Sequence, residues 1–226
     1  MKNNFSERLL VSITGKKDID WQSKLKEIEK FKLTEVALFL EEFTQKQREK
    51  IYSALLRSKI KKIPFVHLRH GMNKDEIDFL KKNYGVIYFT IHERHFPHLD
   101  KWSGFYKDLY LEMNFDNFIP KEVDIKKIGG FCVDLSHFQA AFKKQSKEFF
   151  YTIKKNHHYF KCNHINGYSS KENVDIHLIK SLKDFDYLKN LPKFLFGKVI
   201  AIETDNSITE QLEFKKYLSE LLSDKL

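Results

Sequence analysis

The strongest constraint in this 226-residue chain is a regular alternation of short apolar runs with longer helical patterns. The apolar runs, rich in β-branched and aromatic residues, cover 8–14, 35–41, 63–67, 86–92, 109–113, 130–134, 159–164 and 199–203. Between them, helical spacing covers 21–31, 44–57, 74–83, 146–155, 182–191 and 210–222. Near-continuous apolar strands alternating with helices predict a parallel sheet covered by helices. Eight such strands predict an α/β fold, a compact (β/α)8 TIM barrel forming one domain over residues 1–226. A doubly wound open sheet is the alternative, but no Gly-rich phosphate loop follows the first strand. The weakest unit is 93–108, with Pro97, Gly104 and only a short helical pattern.

The strand ends carry the chemistry. The third strand ends at His67, the fourth at His92, the fifth at Glu112, the sixth at Asp134, the seventh at His164 and the eighth at Glu203. In a (β/α)8 barrel these ends surround one mouth, where catalytic groups collect. Alternation aims them inward, because Tyr110 precedes Glu112, Cys132 precedes Asp134, Cys162 precedes His164 and Ala201 precedes Glu203 by two residues. Converging imidazoles and carboxylates are either a costly cluster of buried charge or a metal site. Two further spacings add donors. Asp134-Leu-Ser-His137 places His137 one turn beyond the strand end, and Asp175-Ile-His177 puts two donors on one side of an extended segment. His70, His95, His98, His157 and His158 have no special placement and are expected on the surface, with His70 and His95 as possible substitutes among the ligands. Cys132 and Cys162 are expected inside the barrel as small core fillers.

Composition limits the partners. With 42% hydrophobic and 15% aromatic residues the chain is too apolar to be disordered. No apolar run approaches the roughly 18 residues that would cross a bilayer, and the polar stretch Met1–Glu7 lacks a signal-peptide core. No membrane partner and a cytoplasmic location are therefore expected. The formal net charge of +9 suits a polyanion. Only five basic residues are Arg, none beyond Arg94, so contacts to nucleic acid would lean on the phosphate backbone rather than on base edges.

The order Glu112, Asp134 with His137, His164 and Glu203, within "VDLSH" and "IAIETD", resembles the xylose isomerase-like TIM barrels. That superfamily comprises sugar isomerases and epimerases and the endonuclease IV family of abasic-site repair enzymes. With His67, His92, Asp175 and His177 added, the pattern is most similar to endonuclease IV, which holds three zinc ions. The resemblance implies up to three Zn2+, with Mn2+ or Mg2+ as substitutes. One ion would be held by His67, His92 and Glu112. A second would share Glu112 and be held also by Asp134, His164 and Glu203. A third would sit on His137, Asp175 and His177. It further implies a hydrolase acting on nucleic-acid phosphodiesters such as abasic-site DNA, with Glu112 and Glu203 as its catalytic carboxylates. The chain departs from that family in its brief loops. Arg69 and Met72 are the nearest candidates for side chains entering DNA.

The alternative is a metal-dependent sugar isomerase or epimerase. It needs one ion on Glu112, Asp134, His164 and Glu203, with Glu112 and Glu203 exchanging protons at carbon. It leaves His67, His92, Asp175 and His177 without a role. A third reading is a barrel that has lost catalysis and serves as a binding protein.

Overall fold

A computed structural model of the chain describes residues 5–223 and Lys225; Met1–Asn4, the start of the polar N-terminal stretch, lie outside the described residues. The strands are β1 (Leu9–Leu10), β2 (Ser12–Ile13), β3 (Ala37–Phe39), β4 (Phe65–His67), β5 (Tyr88–His92), β6 (Leu109–Glu112), β7 (Gly130–Asp134), β8 (Phe160–Ile165), β9 (Gly167–Ser169), β10 (Val174–Ile176) and β11 (Val199–Ile202). One parallel sheet runs in the order β1-β11-β8-β7-β6-β5-β4-β3-β2. β1 and β2 are halves of the first barrel strand, parted at Val11. The first half pairs with β11 and the second with β3, so the ring closes on that strand. Ala37 N donates to the Val11 carbonyl across the break (2.9 Å). This is the expected (β/α)8 barrel.

The helices are α1 (Phe5–Arg8), α2 (Asp18–Lys30), α3 (Gln45–Arg57), α4 (Lys74–Tyr84), α5 (Leu135–Lys144), α6 (Lys147–Ile153) and α7 (Ile208–Leu221). Local chemistry sets several of their bounds. At the start of α4, Glu76 N donates to Asn73 Oδ1 (3.0 Å) and Asn73 N donates back to Glu76 Oε1 (3.3 Å), a capping box. Gly85 ends that helix at φ 64°, a left-handed conformation that costs glycine little. Ser207 and Glu210 cap α7 in the same way.

The structure departs from the sequence expectations in several places. The expected helix over 182–191 is a 3-10 helix at Leu182–Asn190, and the weak unit forms a 3-10 helix at Glu93–Trp102 with Pro97 inside it. Helix α5 lies in a stretch with no helix of its own in the sequence reading. Asp175 lies in an antiparallel hairpin of β9 and β10, with His177 just beyond it, rather than in a plain loop.

Two apolar layers result. Leu10, Ala37, Phe39, Phe65, Tyr88, Tyr110, Cys132, Cys162 and Ala201 fill the barrel interior. Residues alternating with them, such as Leu38, Val66, Phe89, Leu111 and Ile200, pack outward against helix residues including Ile51, Leu55, Ile77 and Leu80. The cysteines are free and buried, as expected of core fillers. Met72 is also buried, so it does not enter a DNA groove from this structure.

Candidate metal centre

One alternation step beyond the apolar interior, the strands present polar side chains to the mouth. Parallel pairing sets Asp134 beside His164 and His92 beside Glu112. Glu112 is the hub. Its Oε2 lies 3.0 Å from His67 Nε2 and 3.2 Å from His164 Nδ1, and its Oε1 lies 3.5 Å from His137 Nδ1. His164 Nδ1 also faces Glu203 Oε2 at 3.1 Å and Asp134 Oδ2 at 3.9 Å. Despite these neighbours it is a buried nitrogen with no properly directed hydrogen bond. A ring nitrogen aimed between three carboxylates is the arrangement that a cation completes.

The ring orientations agree. His67 Nδ1 lies 3.2 Å from the Leu68 carbonyl and His137 Nδ1 lies 3.3 Å from the Met113 carbonyl. A carbonyl can only accept, so each Nδ1 donates, and each Nε2 is turned to the mouth, where it faces carboxylates and could offer its lone pair to a cation in exchange for a proton. His67 Nε2 then faces Glu112, while His137 Nε2 faces Asp134 Oδ2 and Asp175 Oδ2, each at 4.0 Å. Ligating histidines are oriented by this kind of outer hydrogen bond. Asp134 divides its work. Oδ1 caps α5 by accepting from Ser136 N and His137 N (both 2.8 Å), and Oδ2 is left for Asn166 and the mouth.

Three groups bring their donor atoms within 4.8 Å of one another here: Glu112, Asp134, His164 and Glu203; His67, Glu112 and His164; and Glu41, His67 and His92. All nine expected residues lie about this mouth, with different closeness. His137, Asp175 and His177 form an open set, in which His177 Nε2 is 2.7 Å from Asp175 while Asp175 is 4.0 Å from His137.

Glu41 was not among the expected residues. Its Oε2 lies 3.2 Å from His92 Nε2 and 3.7 Å from His67 Nε2, and Arg94 pairs with its Oε1. It continues the inward alternation of Ala37 and Phe39, a signal present in the sequence. His95, expected at the surface, is buried among His70, His92 and Trp102, and burial pushes its pKa down to about 3. It is neutral and belongs to the wall of the mouth. His70, His98, His157 and His158 are exposed as expected.

The charges reinforce one another. Burial opposes ionisation of Glu112, yet His164, His92 and His67 hold its carboxyl well below the usual range. Burial likewise opposes the charged form of His92, but Glu112 and Glu41 push its pKa up to about 9. His177 is raised to about 10, mainly by Asp175 against burial. Asp134 moves the other way, raised by burial and by Glu112 and Glu203. The protons on these imidazoles occupy the place that divalent ions can take. The buried clusters, with their mixed nitrogen and carboxylate donors, can therefore hold divalent metal.

Over the donors opens a cleft of about 610 Å3, lined among others by Phe39, Glu41, His177, Glu203 and Thr204. A second hollow of about 800 Å3, lined by Arg69, His70, Arg94, His95 and His98, shares the Glu41–Glu42 wall with it. Among the described residues no helix is long and apolar enough to cross a membrane.

The chain resembles a solved structure described as a D-tagatose 3-epimerase-like protein. The two are 15% identical, with a TM-score of 0.52 over 95% of this chain and 97% of that one. This likeness shows the shared barrel fold. No family model and no curated protein matches the chain.

Proposed function

We propose that the mouth is a multinuclear divalent-metal centre that hydrolyses a phosphoester, with nucleic-acid phosphodiesters as the leading substrate class. The observation that carries this reading is the surplus of donors. Beyond the quartet Glu112, Asp134, His164 and Glu203, which suffices for one ion, His67, His92 and Glu41 form a second set joined to it through Glu112. Ions bound there would supply Lewis acidity and a lowered pKa for attacking water.

The chain's own residues then have distinct tasks. Glu112, engaged through both oxygens, bridges the two sets and fixes their spacing. Glu203, whose side chain is 17% exposed on the cleft, accepts a proton from the attacking water or orients it. His137, Asp175 and His177 form the open third set beside them. The Lys-rich surface holds phosphates without reading sequence.

The second reading is a metal-dependent sugar isomerase or epimerase, and the comparison favours it. The similar structure is described as epimerase-like, and the compact quartet alone would serve such an enzyme. Glu112 and Glu203, both beside His164 Nδ1, would exchange protons at carbon. Fold hosts many chemistries, so the site decides.

The test is direct. Duplex DNA containing one abasic site should be nicked in a chelator-sensitive manner, and Glu203→Gln should abolish nicking. Solvent deuterium entering ketoses, with DNA and simple phosphodiesters left intact, establishes the second reading instead.

A further inference from the structure

A second acidic cluster lies outside the mouth. Glu93 opens the 3-10 helix after β5, Asp116 sits in the segment after β6, and Glu148 lies in α6. Their donor atoms come within 4.8 Å of one another. Asp116 is exposed, but Glu93 and Glu148 are only 2% and 1% exposed. Each buried carboxylate spends one oxygen on the backbone. Asn114 N donates to Glu93 Oε1 (3.0 Å), and Phe118 N donates to Glu148 Oε1 (2.7 Å). The other oxygens, Glu93 Oε2 and Glu148 Oε2, are buried without any partner.

No cationic side chain among the described residues contacts them; burial raises the Glu93 pKa, and His92 acts against it only through space. Among the described residues no Lys, Arg or His forms an ion pair with any of the three. Lys144 is close in sequence to α6, but its Nζ donates to the Phe115 carbonyl and sits over the Phe115 ring. Buried carboxylate oxygens left unpaired are costly, and a bound cation is the usual remedy. A set of oxygens without nitrogen or sulfur selects a hard ion.

We infer that Glu93, Asp116 and Glu148 form a separate all-oxygen site for a hard divalent cation of the Ca2+ or Mg2+ class, which fastens the segment after β6 to the barrel and to α6. It shares no residue with the mouth. It reaches the mouth by charge and by the backbone. Glu93 directly follows His92 and, against burial, adds to Glu112 and Glu41 in raising its pKa. The fastened segment follows directly on Met113, whose carbonyl orients His137, and it carries Phe115, whose ring lies 5.0 Å from the His137 ring.

The experiment uses the full chain, stripped of metal and reloaded with Zn2+, then titrated with CaCl2 by calorimetry while melting is followed in parallel. The result expected is one Ca2+ bound per chain and a raised Tm, since a ligand bound only to the native state stabilises it. Glu148→Gln should weaken Ca2+ binding by about tenfold or more through the lost ligand charge. Asp116→Asn, at an exposed position that spares the fold, should weaken it by a smaller factor. Zinc content should be the same in both variants. No Ca2+ or Mg2+ binding by the parent chain overturns the inference. Binding that both variants retain at full strength also overturns it.

Discussion

The same strands build two rings of side chains inside the barrel, one alternation step apart, and the two rings are chemically opposite. Phe65, Tyr110, Cys132 and Cys162 form the lower ring; His67, Glu112, Asp134 and His164 stand two residues further along each strand. All eight are buried. Burial is therefore common to both, and only the partners differ. The lower ring gains from losing water, while the upper ring loses hydration and recovers it through ion pairs or a cation. One ring holds the barrel together, and the other is held by it.

The largest effect that would break this contrast is in the upper ring. Glu112→Gln should lower kcat/KM by about 10^3-fold, or ~4 kcal/mol of transition-state stabilisation. The purified variant should still melt cooperatively. If activity survives, the hub assignment fails. In the lower ring, Phe65→Ala should cost ~3–5 kcal/mol of stability through the cavity it leaves. Metal content per folded chain should not change, and loss of metal without loss of stability would erase the distinction between the rings.

A pH series sharpens the same point. In the metal-free chain the pKa of His92 is raised to about 9 and that of His177 to about 10, from an ordinary value near 6.5. A raised folded-state pKa stabilises below the unfolded value and loses that contribution as pH climbs through the folded one. The chelated protein should thus lose stability between about pH 6.5 and 10. Metal must displace those protons, so metal affinity should rise over the same range. Melting curves with and without chelator should show opposite trends with pH, and parallel trends would remove the imidazoles from the ligand set. The smallest effect is Cys162→Ser, which buries a hydroxyl of similar size in the apolar ring. It should cost ~1–2 kcal/mol in denaturant unfolding and leave catalysis intact.

Legibility in the sequence followed the same divide. The strands could be read because each is buried on both faces, and the polar ends could be read because a period of two carries Cys132 to Asp134 and Cys162 to His164. Glu41 obeys that period after Ala37 and Phe39 at the end of the strand read over 35–41, but only closure of the barrel sets it against His67 and His92. Helix α5 was hidden because β7 ends at Asp134 and the helix begins at Leu135, so no loop or turn residue separates strand from helix. His95 lies in a 3-10 stretch broken by Pro97, which has no period from which burial could be read. The β9–β10 hairpin lies in the mostly polar stretch 167–176 and is only partly buried, so no apolar run marks it.

The number of ions in the mouth separates a multinuclear centre from a single-ion site most directly. Elemental analysis of the purified chain, paired with His92→Ala, measures it. More than one Zn or Mn per chain, falling by about one in His92→Ala while the quartet around His164 keeps its ion, is the result expected. A single ion per chain that His92→Ala leaves unchanged would contradict the multinuclear centre and transfer the mouth to the sugar-isomerase reading.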